Sequence, residues 1–249
     1  MDLNADLGEG FGRWRLGDDE ALLDVITSAN VACGFHAGDP SIMRRTCELA
    51  VARGVTIGAQ VGYRDLAGFG RRRIDIEAQE LSADILYQLG ALDAFARSAG
   101  DRVRYLKPHG ALYNTAVEDK IQAEAVLDAV AAFDPELPVL TLPDGELAAA
   151  AVRRGLAVVP EAFADRGYLA NGTLVPRGRE GAVLTDPTAV AGRALDIAVD
   201  RVLTAIDGST VDVRAESLCL HGDTPGAVAM ARAIRQVLTE AGVSLRAFR

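Results

Sequence analysis

The sequence predicts an α/β barrel of seven parallel strands wrapped by helices, and three observations predict it. Apolar runs of strand length alternate with longer helical patterns along the chain, the mark of successive βα units on a parallel sheet. The only three histidines, His36, His109 and His221, each fall at or shortly beyond the end of a strand. Chemically interesting residues come from many strand ends rather than from one crevice, which favours a closed barrel over an open doubly wound sheet. With 249 residues, the chain has the length at which α/β barrels form as one unit, so a single barrel domain over residues 1–249 is expected.

The first strand, residues 2–7, alternates Asp2, Asn4 and Asp6 with Leu3, Ala5 and Leu7. Parallel strands are normally buried on both faces, so three polar groups on one face must look into a polar cavity. Asp2 and Asn4 suit hydrogen bonds near the barrel floor; Asp6 lies nearer the C-terminal end, where barrel active sites form. The remaining strands are read at 26–33, 55–61, 103–107, 138–142, 156–163 and 216–220.

Helix punctuation supports this count. Asp39-Pro40 opens a helix that Gly54 closes, Asp186-Pro187 opens another, and Asp223-Thr224-Pro225 opens the last, which Gly242 ends. An acidic cap, proline at the first helical position and glycine past the end are the expected asymmetry. The last helix carries Val228, Ala231, Ile234, Leu238 and Ala241 at a spacing that buries one face.

Hydrophobic residues make up 49% of the chain and aromatics only 5%, so the core is built from Ala, Val, Leu and Ile. The net charge of -9 leaves no broad basic surface, which speaks against nucleic acid and anionic membranes as partners. Neither a secretory leader nor a membrane span is legible, and a cytoplasmic protein is expected. Cys33, Cys47 and Cys219 form no CxxC pair and read as small buried hydrophobes.

Candidate site residues gather in the loops after the strands. Gly34 and Gly38 flank His36; Lys107 precedes His109 by two residues and shares its facing direction; His221 follows Leu220 directly. Gly68-Phe69-Gly70-Arg71-Arg72-Arg73 joins two glycines to a basic cluster suited to an anion or to solvent. Glu161 and Asp165 follow the sixth strand, placed for acid–base work or to hold Arg166. No GxxxxGK[ST], GxGxxG, HExxH or GxSxG motif is present.

Taken in order, Asp2-Leu3-Asn4 with Asp6-Leu7-Gly8-Glu9, the segment from Ser28-Ala29-Asn30 to Asp39-Pro40, Gly68-Phe69-Gly70-Arg71-Arg72, Lys107-Pro108-His109-Gly110-Ala111-Leu112-Tyr113-Asn114, Phe163-Ala164-Asp165-Arg166 and His221-Gly222-Asp223 resemble the LamB/YcsF family over nearly the whole chain. One departure is that Gly58-Ala59-Gln60-Val61 stands where many relatives carry Gly-Ala-His-Pro. An amide there weakens any reading that needs a fourth histidine as a metal ligand.

The resemblance implies a barrel related to those of polysaccharide deacetylases and some glycoside hydrolases. It also implies opening of the 5-oxoproline (pyroglutamate) lactam to glutamate, carried out with subunits B and C of an ATP-dependent 5-oxoprolinase. ATP, accompanied by Mg, is then a co-substrate cleaved to ADP and phosphate, and no tightly bound cofactor is expected. For that chemistry Asp6, His36, Lys107, His109 and His221 are the catalytic candidates, with Lys107, Arg71 and Arg72 as cations for phosphate. Asn4, Asn30, Tyr113, Asn114 and Asp165 are candidates for substrate binding. Two alternatives stay open: a metal-dependent carbohydrate hydrolase or deacetylase with Asp6, His36 and His109 as ligands, and a substrate-binding component that performs no chemistry.

Overall fold

A computed structural model describes residues 1–248. Seven parallel strands close into a barrel in the order β1 (Asp2–Leu7), β2 (Ser28–Ala32), β3 (Thr56–Val61), β4 (Tyr105–Pro108), β5 (Val139–Thr141), β6 (Val158–Phe163) and β9 (Ser217–Leu220), with β9 pairing back onto β1. All seven expected strands are present. An additional antiparallel hairpin, β7 (Val202–Thr204) and β8 (Thr210–Asp212), lies outside the barrel. Its strands have three residues each, too short for an alternating pattern to stand out, although Asp207-Gly208 marks the turn.

Helices α1 (Asp19–Leu23), α2 (Pro40–Arg53), α3 (Ala78–Ala99), α4 (Gly110–Glu118), α5 (Lys120–Phe133), α6 (Glu146–Arg153), α7 (Pro187–Leu195) and α8 (Ala227–Glu240) surround the sheet. Asp39 caps α2 as expected, accepting from the Ser41 and Ile42 amides at 2.8 and 3.0 Å. Helix α8 starts later than the sequence suggests. Gly226, at φ 82°, is its cap, and Asp223 instead forms an ion pair with Arg71. Its buried stripe is correspondingly Ala227, Met230, Ala231, Ile234 and Leu238, while Ala241 is exposed. Among the described residues no helix is long and apolar enough to cross a membrane.

The apolar core lies between the strands and the helices, and the barrel lumen is polar. Leu3, Ala5 and Leu7 face outward into the core, so Asp2, Asn4 and Asp6 face inward. At the floor Asp2 accepts from Ser28 at 2.7 Å and from Thr27 and Ser217. One layer up, Asn4 donates to Ser217 at 2.7 Å and Glu161 at 3.1 Å, and Asn30 donates to Asn4 at 2.6 Å and Asp6 at 2.8 Å. Tyr105 crosses the lumen to Asn30 at 2.6 Å. Its ring fits because Gly58 is beside it, where a Cβ would lie 2.1 Å from the ring. Beneath, Phe248 packs edgewise on Tyr105, with centroids 5.0 Å apart. A buried polar group with a partner escapes the larger part of its desolvation penalty, which is what makes a polar lumen compatible with folding.

Candidate active site

The lumen ladder ends in an ammonium group. Lys107, inward-facing on β4 and 2% exposed, reaches Glu161 at 2.8 Å, Asp6 at 3.3 Å and the Cys219 sulfur at 2.9 Å. Burial opposes its charge, but the carboxylates of Asp6 and Glu161 and the hydrogen bond to Cys219 overcome that and hold it well above the usual lysine value. Burial likewise pushes the Asp6 carboxyl up, yet the charge of Lys107 and hydrogen bonds from Asn30 and Lys107 bring it below its ordinary value. Asp6 is thus an anion committed to Lys107, a poor base for water. Cys219 is buried, as expected from sequence; burial keeps it a thiol, and its sulfur also accepts a hydrogen bond from the ammonium group.

Above Lys107 opens a cavity of about 460 Å³, and Asp6, Lys107, His109, Tyr113, Arg71 and His221 line it. It sits at the C-terminal ends of the strands, the catalytic face of such barrels. His221 follows β9 and stacks on Phe163, with centroids 5.5 Å apart. Asp165, fully buried, receives the His221 backbone amide at 3.1 Å and ring Nδ1 at 2.9 Å. The carboxylate therefore sets the tautomer, with the proton on Nδ1 and Nε2 left as a base.

His36 and His109 form a second assembly. Their rings stack 4.0 Å apart and 13° from parallel, walled by the edge of Phe69. Gly70, at φ 64°, allows this approach, since a Cβ there would lie 2.8 Å from both His109 Nδ1 and the His36 Cβ. His36 Nε2 donates to Gln60 Oε1 at 3.1 Å, and Gln60 Nε2 donates to Glu9 at 3.1 Å. His109 Nε2 lies 3.7 Å from Glu9. Burial lowers His36 to about 4 and takes His109 well below its usual value, so both rings are neutral at pH 7. Burial, with the charges of Asp6 and Asp223, raises Glu9 well above the carboxylate range.

Donor atoms of Glu9, His36 and His109 lie within 4.8 Å of one another. A metal-ligand set of Asp6, His36 and His109 is not what the fold assembles: Asp6 turns to Lys107 and Glu9 takes its place. The stacked rings also fit an ion poorly. Imidazole binds through an in-plane lone pair, and rings lying 13° from parallel with centroids 4.0 Å apart direct those lone pairs side by side rather than toward one point.

Other expected residues separate. Lys107, His109, His221, Asp6, Tyr113, Arg71 and Asn114 reach the cavity. Asn114 bonds its own helix, donating to the Gly110 carbonyl at 3.0 Å. Asn4 and Asn30 lie below in the lumen with their amides engaged, Asp165 stands behind His221, and His36 is completely buried behind His109. Arg72 turns outward onto Asp65, so it does not share the cavity with Arg71. Arg166 is held by backbone carbonyls rather than by Glu161 and Asp165. Sequence reasoning missed Glu9 and Arg177. A glutamate between Gly8 and Gly10 at the end of a barrel strand was a usable signal; Arg177, in an irregular loop, offered none.

The LamB/YcsF family model matches residues 1–249. A Streptomyces avermitilis protein named as the A subunit of 5-oxoprolinase is 62% identical over 248 residues, covering 100% of this chain and 99% of that one. The solved lactam utilization protein of Thermus thermophilus superposes with a TM-score of 0.95 at 46% identity, covering 100% and 99% of the two chains. A peptidoglycan N-acetylglucosamine deacetylase shares the barrel at a TM-score of 0.50 and 10% identity, covering 98% of this chain and 83% of its own, a likeness of fold alone.

Proposed function

This chain belongs to the LamB/YcsF family, and from that premise we propose that it is the A component of an ATP-dependent 5-oxoprolinase, opening 5-oxoproline to glutamate with subunits B and C. Names of full-length relatives and a lactam utilization neighbour support the substrate class. The observation that carries the chemistry is that Lys107 and the Asp165-oriented His221 line one cavity.

A five-membered lactam is a stable amide, so activation must precede water attack. ATP, with Mg, is the co-substrate in this reading and transfers its γ-phosphoryl group to the lactam oxygen, releasing ADP. Water then adds at the ring carbonyl carbon, His221 Nε2 taking its proton. The carbon–nitrogen bond breaks as the nitrogen gains a proton, and a second water hydrolyses the resulting acyl phosphate to glutamate and phosphate. Lys107 supplies fixed positive charge beneath the developing oxyanion. His109, neutral and stacked on His36, orients substrate rather than carrying charge.

The test is glutamate release from 5-oxoproline and ATP by the chain with and without subunits B and C. Release that requires this chain and stops when ATP is withheld supports the proposal. A reconstituted complex that stays fully active without the chain overturns it.

A further inference from the structure

We infer that Arg177, positioned by Arg166, forms an oxyanion subsite on the loop between β6 and α7, taking a carboxylate or phosphoryl group of the molecule in the cavity. The inference rests on the proposed lactam chemistry only for which oxyanion arrives.

The loop is firmly built. Arg166 is 4% exposed, donating from Nε to the Ala182 carbonyl at 2.9 Å and from Nη2 to the Val175 carbonyl at 2.6 Å. Short bridges join Arg166 to Val183 and Tyr168 to Leu174, and Arg193 donates to the Arg166 carbonyl. These bonds fix Val175, two residues before Arg177, on the cavity wall.

Among the described residues, most cations around the cavity have an ion-pair partner, and the two loop arginines do not. Lys107 has Asp6 and Glu161, Arg71 has Asp223 and Arg73 has Asp119, while Asp165 is held by hydrogen bonds from the neutral His221. Arg166 has only neutral carbonyls, and Arg177 makes no hydrogen bond or ion pair with any described residue. Both line the cavity. Burial and Arg177 lower Arg166 to about 10, and burial with Arg71 lowers Arg177. Asp165 and Asp223 lie within the field of Arg177 but form their bonds with His221 and Arg71, so the Arg177 guanidinium keeps its donors free for an arriving anion. A guanidinium fork matches the oxygen spacing of both carboxylate and phosphate.

The experiment is calorimetric titration of the full chain with 5-oxoproline, its uncharged carboxamide and inorganic phosphate, repeated for Arg177→Gln and, as a control on the same loop, Arg179→Gln. Arg177 makes no bond within the protein, so the melting temperature of Arg177→Gln should match the parent. At least one anion is expected to bind about tenfold more weakly to Arg177→Gln and unchanged to Arg179→Gln. Loss for 5-oxoproline, with the carboxamide binding poorly throughout, identifies the carboxylate as the group held. Loss for phosphate, with 5-oxoproline and carboxamide binding alike, identifies the phosphoryl group. Equal anion affinity in the parent and Arg177→Gln, or no anion binding by the parent, overturns the subsite. A failed glutamate assay alongside Arg177-dependent anion binding would remove the proposed reaction and leave the subsite standing.

Discussion

His221 and the His36–His109 pair stand at the same barrel mouth, three rings of one chemistry in two environments. His221 leans on a buried carboxylate that fixes its tautomer and leaves Nε2 for the cavity. His36 and His109 lean on each other, on an amide and on Glu9, and burial keeps both neutral. In the proposed reaction the carboxylate-backed ring is the base, and the ring pair without a charged partner is a rigid neutral wall.

The hardest blow to this contrast is struck beneath it. Lys107→Met should abolish 5-oxoproline-dependent glutamate release and cost about 3–5 kcal/mol of stability, because Asp6 and Glu161 are left buried without their cation. Denaturant unfolding and the glutamate assay check both halves; full activity in that variant would make the floor purely structural. Asp165→Asn should lower kcat by about 10²–10⁴-fold with little change in KM, since it releases the tautomer of the one ring assigned as base. An equal loss in His36→Gln would erase the distinction between the two assemblies.

The neutral pair makes a prediction about acid. Unfolded His36 takes up a proton near pH 6.5, the folded residue only near 4. Between those values the unfolded chain binds more protons, so stability rises with pH, is fully present above 6.5 and is lost as pH falls toward 4. The span is on the order of 3 kcal/mol. His36→Gln should flatten that slope in urea titrations taken across the window. Smallest of all, Arg72→Ala should change activity less than about twofold and cost about 1–2 kcal/mol of stability, because Arg72 itself is exposed while the buried Asp65 side chain keeps its Gly68 and Arg72 backbone donors.

How much of this was legible in the sequence follows from the range of the forces involved. The strands were readable because their periodicity and caps are local, down to the inward row of Asp2, Asn4 and Asp6. The polar mouth was readable because histidines at strand ends must meet in a closed barrel. What each polar group does there was not. That Asn30 bridges Asn4 and Asp6, that Gln60 joins His36 to Glu9, and that Asp223 answers Arg71 instead of capping α8 depend on contacts between residues far apart in the chain. Adjacent arginines in the sequence also proved to part company, Arg71 facing the cavity and Arg72 leaving it.

The hydrogen-bonded lumen has a consequence for how the protein tolerates change. Asn4 alone touches Ser217, Glu161 and Asn30, and Asn30 in turn touches Asp6 and Tyr105. Substitutions there share partners and will combine non-additively. The shell of Ala, Val and Leu between strands and helices repacks with volume as its chief constraint. Sequence drift should therefore accumulate in the outer shell, while the lumen moves only by concerted, multi-residue steps.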